Sequence, residues 1–251
     1  MNATLIKKGA TSMRKFFLIA AALLVVIACT GCQGAKAEGD ANANARRTDE
    51  SGQVSPSERY ERERIERALT GLDIEGGRVE VDRSVSGAIA QPGTRAQAAA
   101  ASEQGRHLYE LNDTIGAIAA FAKSIIIDES YADAYLGLAK ALHANGEPNE
   151  TLAALHTALG LNGELKEGHY LLAQIYQEAG NLNQQIAVLL GIAKRWPGYL
   201  ETESRLAIAY YYSHDYGSAW KFVHRSEDLG KAVPPQFREL LAGEMREPAR
   251  P

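Results

Sequence analysis

The chain has 251 residues, 45% hydrophobic and 23% charged, enough for one modest domain plus flanking segments. Its formal net charge is −4, and Lys7, Lys8, Arg14 and Lys15 fall in the first 28 residues without any acid, so the remainder carries −8. That balance argues against nucleic acid as the main partner, which needs a basic footprint, and two cysteines, Cys29 and Cys32, supply no disulfide framework.

Residues 1–32 read as a secretory signal. Arg14 and Lys15 precede an apolar run of thirteen residues, Phe16 to Ala28, shorter than the about twenty that a membrane-spanning helix needs. Met13 directly precedes Arg14 and is an alternative start to Met1. The run ends in Val26-Ile27-Ala28-Cys29-Thr30-Gly31-Cys32. This resembles the lipobox of bacterial lipoproteins, in which a cysteine becomes the acylated N-terminus. Cys29 follows Val26-Ile27-Ala28 and fits the pattern, whereas Cys32 as acceptor leaves no second thiol in the mature chain, so both are lipidation candidates. A cleaved signal without lipid and a Cys-x-x-Cys redox pair are the other readings, the latter without the βαβ context such pairs have. The resemblance implies three acyl chains. Each buried methylene contributes about 0.8 kcal/mol, and two chains hold stably where one does not. Neither Thr30 nor Gln33 is aspartate, which by analogy with Gram-negative lipoproteins implies the inner leaflet of the outer membrane, facing the periplasm.

Residues 33–97 read as a flexible linker. Residues 33–54 are Gly, Ala, Asn, Asp, Glu and Ser with almost no large apolar side chain, so they cannot bury enough surface to order themselves. As a disordered tether they span on the order of 25 Å. Ser55-Pro56-Ser57-Glu58 is a helix start, with Ser55 to cap, Pro56 in the first turn and Glu58 at the capping-box place. The helix expected over about 56–70 pairs Glu58 with Arg62, Arg59 with Glu63, Arg62 with Glu66 and Glu63 with Arg67, and Gly71 ends it. With only Tyr60, Ile65, Ala68 and Leu69 as apolar content, it reads as a solvated linker helix, the other reading being a docking helix. Residues 72–96 are expected to be mostly irregular. Arg78 to Asp82 alternates like a strand and Gly76-Gly77 could turn a hairpin, but an isolated hairpin is marginal in water.

From Ala98 the chain falls into four rows of 34 residues without a gap, starting at Ala98, Ala132, Lys166 and Leu200. The eighth place is small: Gly105, Ala139, Ala173, Ala207. The eleventh is large: Leu108, Leu142, Tyr176, Tyr210. The twenty-first is Ile118, Leu152, Ile186, Trp220, and the twenty-fourth is Phe121, Leu155, Leu189, Val223. The fifteenth is a breaker in the middle rows, Gly146 and Gly180, and Asn112 and His214 in the outer ones. These spacings put one apolar face on each of two helices per row. The small eighth place lets the helices approach, and the bulky twenty-fourth fills the groove beside it. After the array, Pro234-Pro235 opens a further short helix with Phe237, Leu240 and Leu241 on one face and Gly243 at its end. Terminal repeats expose an apolar edge, and this helix is expected to cover it. Residues 245–251 are a polar tail.

The pattern resembles the tetratricopeptide repeat (TPR) family, whose period is 34 residues. Tyr135, Leu138, Ala139, Leu142, Gly146, Leu155 and Ala158 carry it in the second row; Leu172, Ala173, Tyr176, Gly180 and Pro197 in the third; Leu206, Ala207, Tyr210 and Ala219 in the fourth. Departures include Thr151 and Gln185 where the family has alanine, and Gln104 where it has leucine. The resemblance implies an all-α, right-handed superhelical solenoid of four helix–turn–helix repeats, 98–131, 132–165, 166–199 and 200–233, with a capping helix at 235–242. The repeat domain then covers 98–244.

No catalytic constellation is expected. The six histidines, His107, His143, His156, His169, His214 and His224, make no metal-ligand pair, and no nucleophile elbow or phosphate loop occurs. His169 reads as a packing residue. No cofactor, metal or small-molecule substrate is therefore assigned. What the resemblance implies is a concave groove lined by the first helix of each repeat. It would present Arg106 and Tyr109, then Lys140 and His143, then Tyr170, Gln174 and Gln177, and last Ile208, Tyr211 and Tyr212. Such a mixture suits an extended segment or helix of a protein, with Tyr170, Tyr211 and Tyr212 as anchors. The family's lysine/asparagine clamp for chaperone tails would fall at Ser102, Arg106, Gly137, Glu167 and Leu171, and is absent. The expected function is a non-catalytic, lipid-anchored adaptor in the bacterial cell envelope, assembling a pilus, secretion or outer-membrane complex. A regulator of cell-wall hydrolases and an enzyme or small-ligand binder using the groove are the alternatives.

Overall fold

The computed structural model describes residues 55–250 apart from Glu75 and Gln91. The expected signal, the lipidation candidates Cys29 and Cys32, and the tether lie outside the described residues.

Helix α1 spans Pro56–Ala68, and strands β1 (Leu72–Asp73) and β2 (Glu80–Val81) form a short antiparallel pair. The array follows as α2 (Arg95–Glu110), α3 (Thr114–Ile127), α4 (Ala132–Ala144), α5 (Pro148–Leu161), α6 (Lys166–Glu178), α7 (Leu182–Arg195), α8 (Thr202–Tyr212) and α9 (Tyr216–Asp228). Helix α10, Pro235–Glu244, closes it. Consecutive helices pack as hairpins, α2 on α3, α4 on α5, α6 on α7 and α8 on α9, and each hairpin packs on the next. This is the expected all-α solenoid of stacked repeats.

Each hairpin turns on the same device. The fifteenth place of every row adopts left-handed backbone: Asn112 (φ 61°), Gly146 (φ 80°), Gly180 (φ 69°) and His214 (φ 62°). The next residue's N–H then reaches back to the carbonyl of the eleventh place. Asp113 donates to Leu108 at 2.9 Å, Glu147 to Leu142 at 3.1 Å, Asn181 to Tyr176 at 2.8 Å and Asp215 to Tyr210 at 3.0 Å. That bond satisfies a carbonyl left open at the helix end. Asp113 and Asp215 also cap the following helix, accepting from Gly116 N–H at 2.9 Å and Ser218 N–H at 3.0 Å. Pro148 serves at the start of α5, where a missing N–H costs nothing.

The eighth and twenty-fourth places are buried in every row. A Cβ on Gly105 would lie 2.9 Å from the Phe121 ring, and one on Gly137 would come closer still. Phe121 therefore fits only because both facing positions, one in its own row and one in the next, lack a side chain. The third junction breaks the pattern. Helix α8 begins two residues into its row, after a 3₁₀ turn at Tyr199–Glu201, with left-handed Gly198, Leu200 (φ 43°) and Glu201 (φ 58°). Buried Glu203 holds this turn by accepting the Gly198 N–H at 3.1 Å, and the Lys231 ammonium bonds the Gly198 carbonyl.

Two expectations for the flanks change. Helix α1 is not a solvated linker element, because Ile65 is 5% exposed and joins the core, with Ala68 and Leu69 packed beside it against α3. A thin apolar stripe suffices when a ready apolar surface faces it. Residues 72–96 are mostly irregular, as expected, but do not form a free linker: Val79 is buried and its N–H donates to Thr157 Oγ1 of α5 at 3.1 Å. A capping box between Thr94 and Gln97 starts α2 at Arg95. At the other end Phe237 and Leu241 of α10 are buried as expected, but the polar tail is strapped down. Trp220 Nε1–H donates to the Met245 carbonyl at 2.9 Å, and the Glu247 carboxylate meets His224 at 2.9 Å and Arg238 at 2.7 Å.

Two outcomes test this packing. Gly137→Ala drives a methyl into the Phe121 ring and is expected to cost about 1–3 kcal/mol, read from the denaturant midpoint. The hydrogen bond from His224, then that from Arg238, holds the Glu247 carboxyl below its ordinary value of 4.5. The strap therefore stabilises the fold above that pH and loses its effect as pH falls through the lowered value. Thermal unfolding should show the unchanged chain more stable than Glu247→Gln at neutral pH and equal to it in strong acid. Equality at neutral pH would contradict the strap.

Candidate functional site

The first helices α2, α4, α6 and α8 carry the residues expected in the groove. Their side chains form a polar ladder between neighbouring repeats. The Lys140 ammonium of α4 pairs with Glu167 of α6. One helical turn further, His143 Nε2 meets Glu178 Oε2 at 2.8 Å, and Gln174 Nε2–H donates to the other oxygen of the same carboxylate at 3.0 Å. Gln177 Oε1 accepts from Gln185 at 3.1 Å and from the Arg205 guanidinium of α8 at 3.2 Å. Arg205 lies 4.8 Å from the Tyr170 ring centroid. Tyr170 in turn meets Tyr199 edge-on at 6.2 Å, and burial pushes its hydroxyl above the usual tyrosine range.

The structure thus pairs Lys140 with Glu167, brings His143 and Gln174 together on Glu178, and brings Gln177 and Tyr170 together on Arg205, three groups of contacts that between them span α4, α6 and α8. Arg106 stands apart, paired with Glu103 on its own helix, and Tyr109 is half-buried against the first-row core. Ile208 is half-buried against the last core cluster. Tyr211 is divided between two tasks. Its ring contacts Tyr212 at 5.6 Å, Tyr216 at 5.7 Å and Phe237 of the closing helix at 5.7 Å, so it helps seat α10. Burial raises the hydroxyls of both Tyr211 and Tyr212.

Several residues of this surface do not follow from the groove places alone. Gln185 occupies a place where the family has alanine, and its burial is explained by the bond to Gln177. That departure was the available signal. Arg205, Lys166, Trp196 and Tyr199 lie between the expected places. Lys166 stands 5.9 Å from the Trp196 centroid and 6.0 Å from that of Tyr199, and Arg195 stands 5.3 Å from Trp196. His169 packs as expected, its ring 5.5 Å from Trp196 and its Nε2 3.0 Å from the Gly163 carbonyl. Among the described residues no group of three His, Cys, Asp or Glu could hold a metal ion, and no helix is long and apolar enough to cross a membrane.

The geometry matches a known architecture. The crystal structure of MamA superposes with a TM-score of 0.50 at 21% identity, covering 52% of this chain and 77% of that one. PilF of Pseudomonas aeruginosa gives 0.49 at 19% identity, covering 60% and 67%. YrrB, described as a TPR protein with an unusual peptide-binding site, gives 0.36 at 17% identity, covering 58% and 91%. No protein-family model and no curated protein sequence matches the chain. The fold is that of the tetratricopeptide repeat.

The division of labour between Tyr211 and its neighbours is testable. Tyr211→Ala should cost about 2 kcal/mol through the lost ring contacts, whereas Arg106→Ala, which breaks an exposed pair, should leave stability nearly unchanged. Thermal unfolding compares them, and equal effects would place Tyr211 outside the packing of α10.

Proposed function

We propose that this chain is a non-catalytic scaffold that binds a segment of a protein partner along the surface formed by α2, α4, α6 and α8. The observation that carries the proposal is the set of side-chain contacts from α4 to α6 and from α6 to α8. Side chains from three successive first helices meet one another, so a partner laid across them touches several repeats at once. Half-buried tyrosines give contact area at low entropic cost. The polar pairs around them are exposed ion pairs of little net stability, so exchanging them for contacts with a partner costs the fold little. The lipobox-like Cys29 and Cys32 support lipid attachment, and the signal-like run before them supports the cell envelope as its place. Together these make a lipid-anchored envelope adaptor that assembles a multiprotein complex.

Photocrosslinking in intact cells tests both halves. A benzophenone amino acid placed at Gln174 or Tyr109 should trap the same protein, and one at Lys194 or Leu190 on the second helix of the third row should not. Adducts only from the latter pair would overturn the groove assignment. In the same cells, replacing both cysteines with serine should move the protein from the membrane to the soluble fraction. Persistent membrane association would remove the lipid anchor from the proposal.

A further inference from the structure

The basic side chains of the first helices fall into two kinds. Arg106, Lys140 and His143 each meet a carboxylate of the chain: Glu103, Glu167 and Glu178. Arg205 and Lys166 do not: among the described residues no carboxylate oxygen lies within 4.0 Å of either, and both are held against aromatic rings instead. One row of rings lies between them, and it continues past Lys166 to Trp196. Lys166 Nζ faces the Tyr199 ring at 6.0 Å, Tyr199 meets Tyr170 edge-on at 6.2 Å, and the Arg205 guanidinium lies 4.8 Å from the Tyr170 centroid. Arg205 has one of its N–H groups on Gln177 Oε1 at 3.2 Å, while its Nε is shut from solvent with no partner among the described residues. Glu167, next to Lys166, is taken by Lys140, and Glu203, on the helix of Arg205, gives one oxygen to the Gly198 N–H.

A guanidinium fixed over a ring by a glutamine is pre-oriented, so it loses little freedom on meeting a carboxylate, and Arg–carboxylate pairs can form two parallel bonds. The rings between the cations offer faces on which an apolar or aromatic side chain can lie. Arg205 stands in its row where Gly137 and Leu171, two places of the absent lysine/asparagine clamp, stand in theirs, whereas Lys166 and Tyr199 stand outside the clamp places. We propose that Arg205, Tyr170, Tyr199 and Lys166 form the specificity site of the groove, and that it takes a partner segment with two acidic side chains flanking a short aromatic or apolar stretch. The acids pair with Arg205 and Lys166, and the residues between them lie on the two tyrosines. This rests on the groove reading above and adds to it the chemistry of the partner.

The test uses the full chain and two blocked, fluorescent peptides, Glu-Tyr-Ala-Tyr-Glu and its neutral counterpart Gln-Tyr-Ala-Tyr-Gln, followed by anisotropy. The acidic peptide should bind at least about ten-fold more tightly, with an advantage that shrinks as salt rises, as expected for exposed charge pairs. Arg205→Gln should bring the ratio close to one, and Lys166→Gln, which alters an exposed side chain, should reduce it by part. Circular dichroism must show unchanged helix content in both variants. Equal affinity for the two peptides, a ratio that survives Arg205→Gln and Lys166→Gln, or no binding of either peptide would each overturn the site. Equal binding of both peptides that is lost on obstructing the groove with Gln174→Trp would reject the acidic partner while leaving the groove reading in place.

Discussion

Everything in this molecule depends on one contact type, a bulky side chain seated where its neighbours have almost none. Phe121 on α3 lies against Gly105 in its own hairpin and Gly137 in the next. It thus closes one repeat and joins it to its successor in a single packing event. Later rows hold smaller pairs at the same places, Leu155, Leu189 and Val223 with Ala139, Ala173 and Ala207, each pair buried in one core cluster. A single hairpin of this kind leaves one apolar face uncovered, and only a stacked neighbour supplies the missing surface. The function follows from the same constraint. Because the apolar faces are used for stacking, the exposed sides of the first helices are free to carry polar and aromatic groups.

The array needs protection where the stacking stops. At the start, α1 and the β1–β2 pair bring Ile65 and Val79 onto the second helices α3 and α5. At the end, α10 buries Phe237 and Leu241, and the tail beyond it is tied to α9 through Trp220 and His224. The third junction is the one irregular step. There Leu200 and Glu201 carry left-handed backbone, a conformation unfavourable for side chains other than glycine. Buried Glu203 gives one oxygen to the Gly198 N–H, while its other oxygen has no partner among the described residues. The strained turn carries Tyr199 and leads directly into the helix that bears Arg205. Strain and an orphaned buried oxygen therefore sit beside the surface proposed to select the partner.

Much of the fold was legible in the sequence because the repeat states it four times. The eighth, eleventh and twenty-fourth places fix the pairing of helices, and the helix starts at Ala132 and Lys166 fall on their row starts. The fifteenth place was only partly legible. Gly146 and Gly180 announce left-handed turns, but Asn112 and His214 adopt the same conformation without glycine, carried by the register rather than by residue type. The flanks are not legible in the sequence, for a definite reason. The apolar content of α1 is thin, and its surroundings, not its own pattern, decide whether Ile65 is buried. The groove was legible as a set of places but not as a network. Helical periodicity says which side chains share a face, and it cannot say that Lys140 meets Glu167 or that Arg205 lies over Tyr170. Those pairings depend on how far each repeat is rotated against the next.

The central claim is that neighbouring hairpins supply one another's core, so that stability and binding surface both belong to pairs of repeats. Native-state hydrogen exchange of the chain with Phe121→Ala measures this directly. If the contact joins two repeats, amide protection falls together in α2, α3 and α4 and stays unchanged in the distant α9. Loss confined to α2 and α3 would mean that each hairpin stands by its own packing, and that the shared surface across repeats has no common foundation.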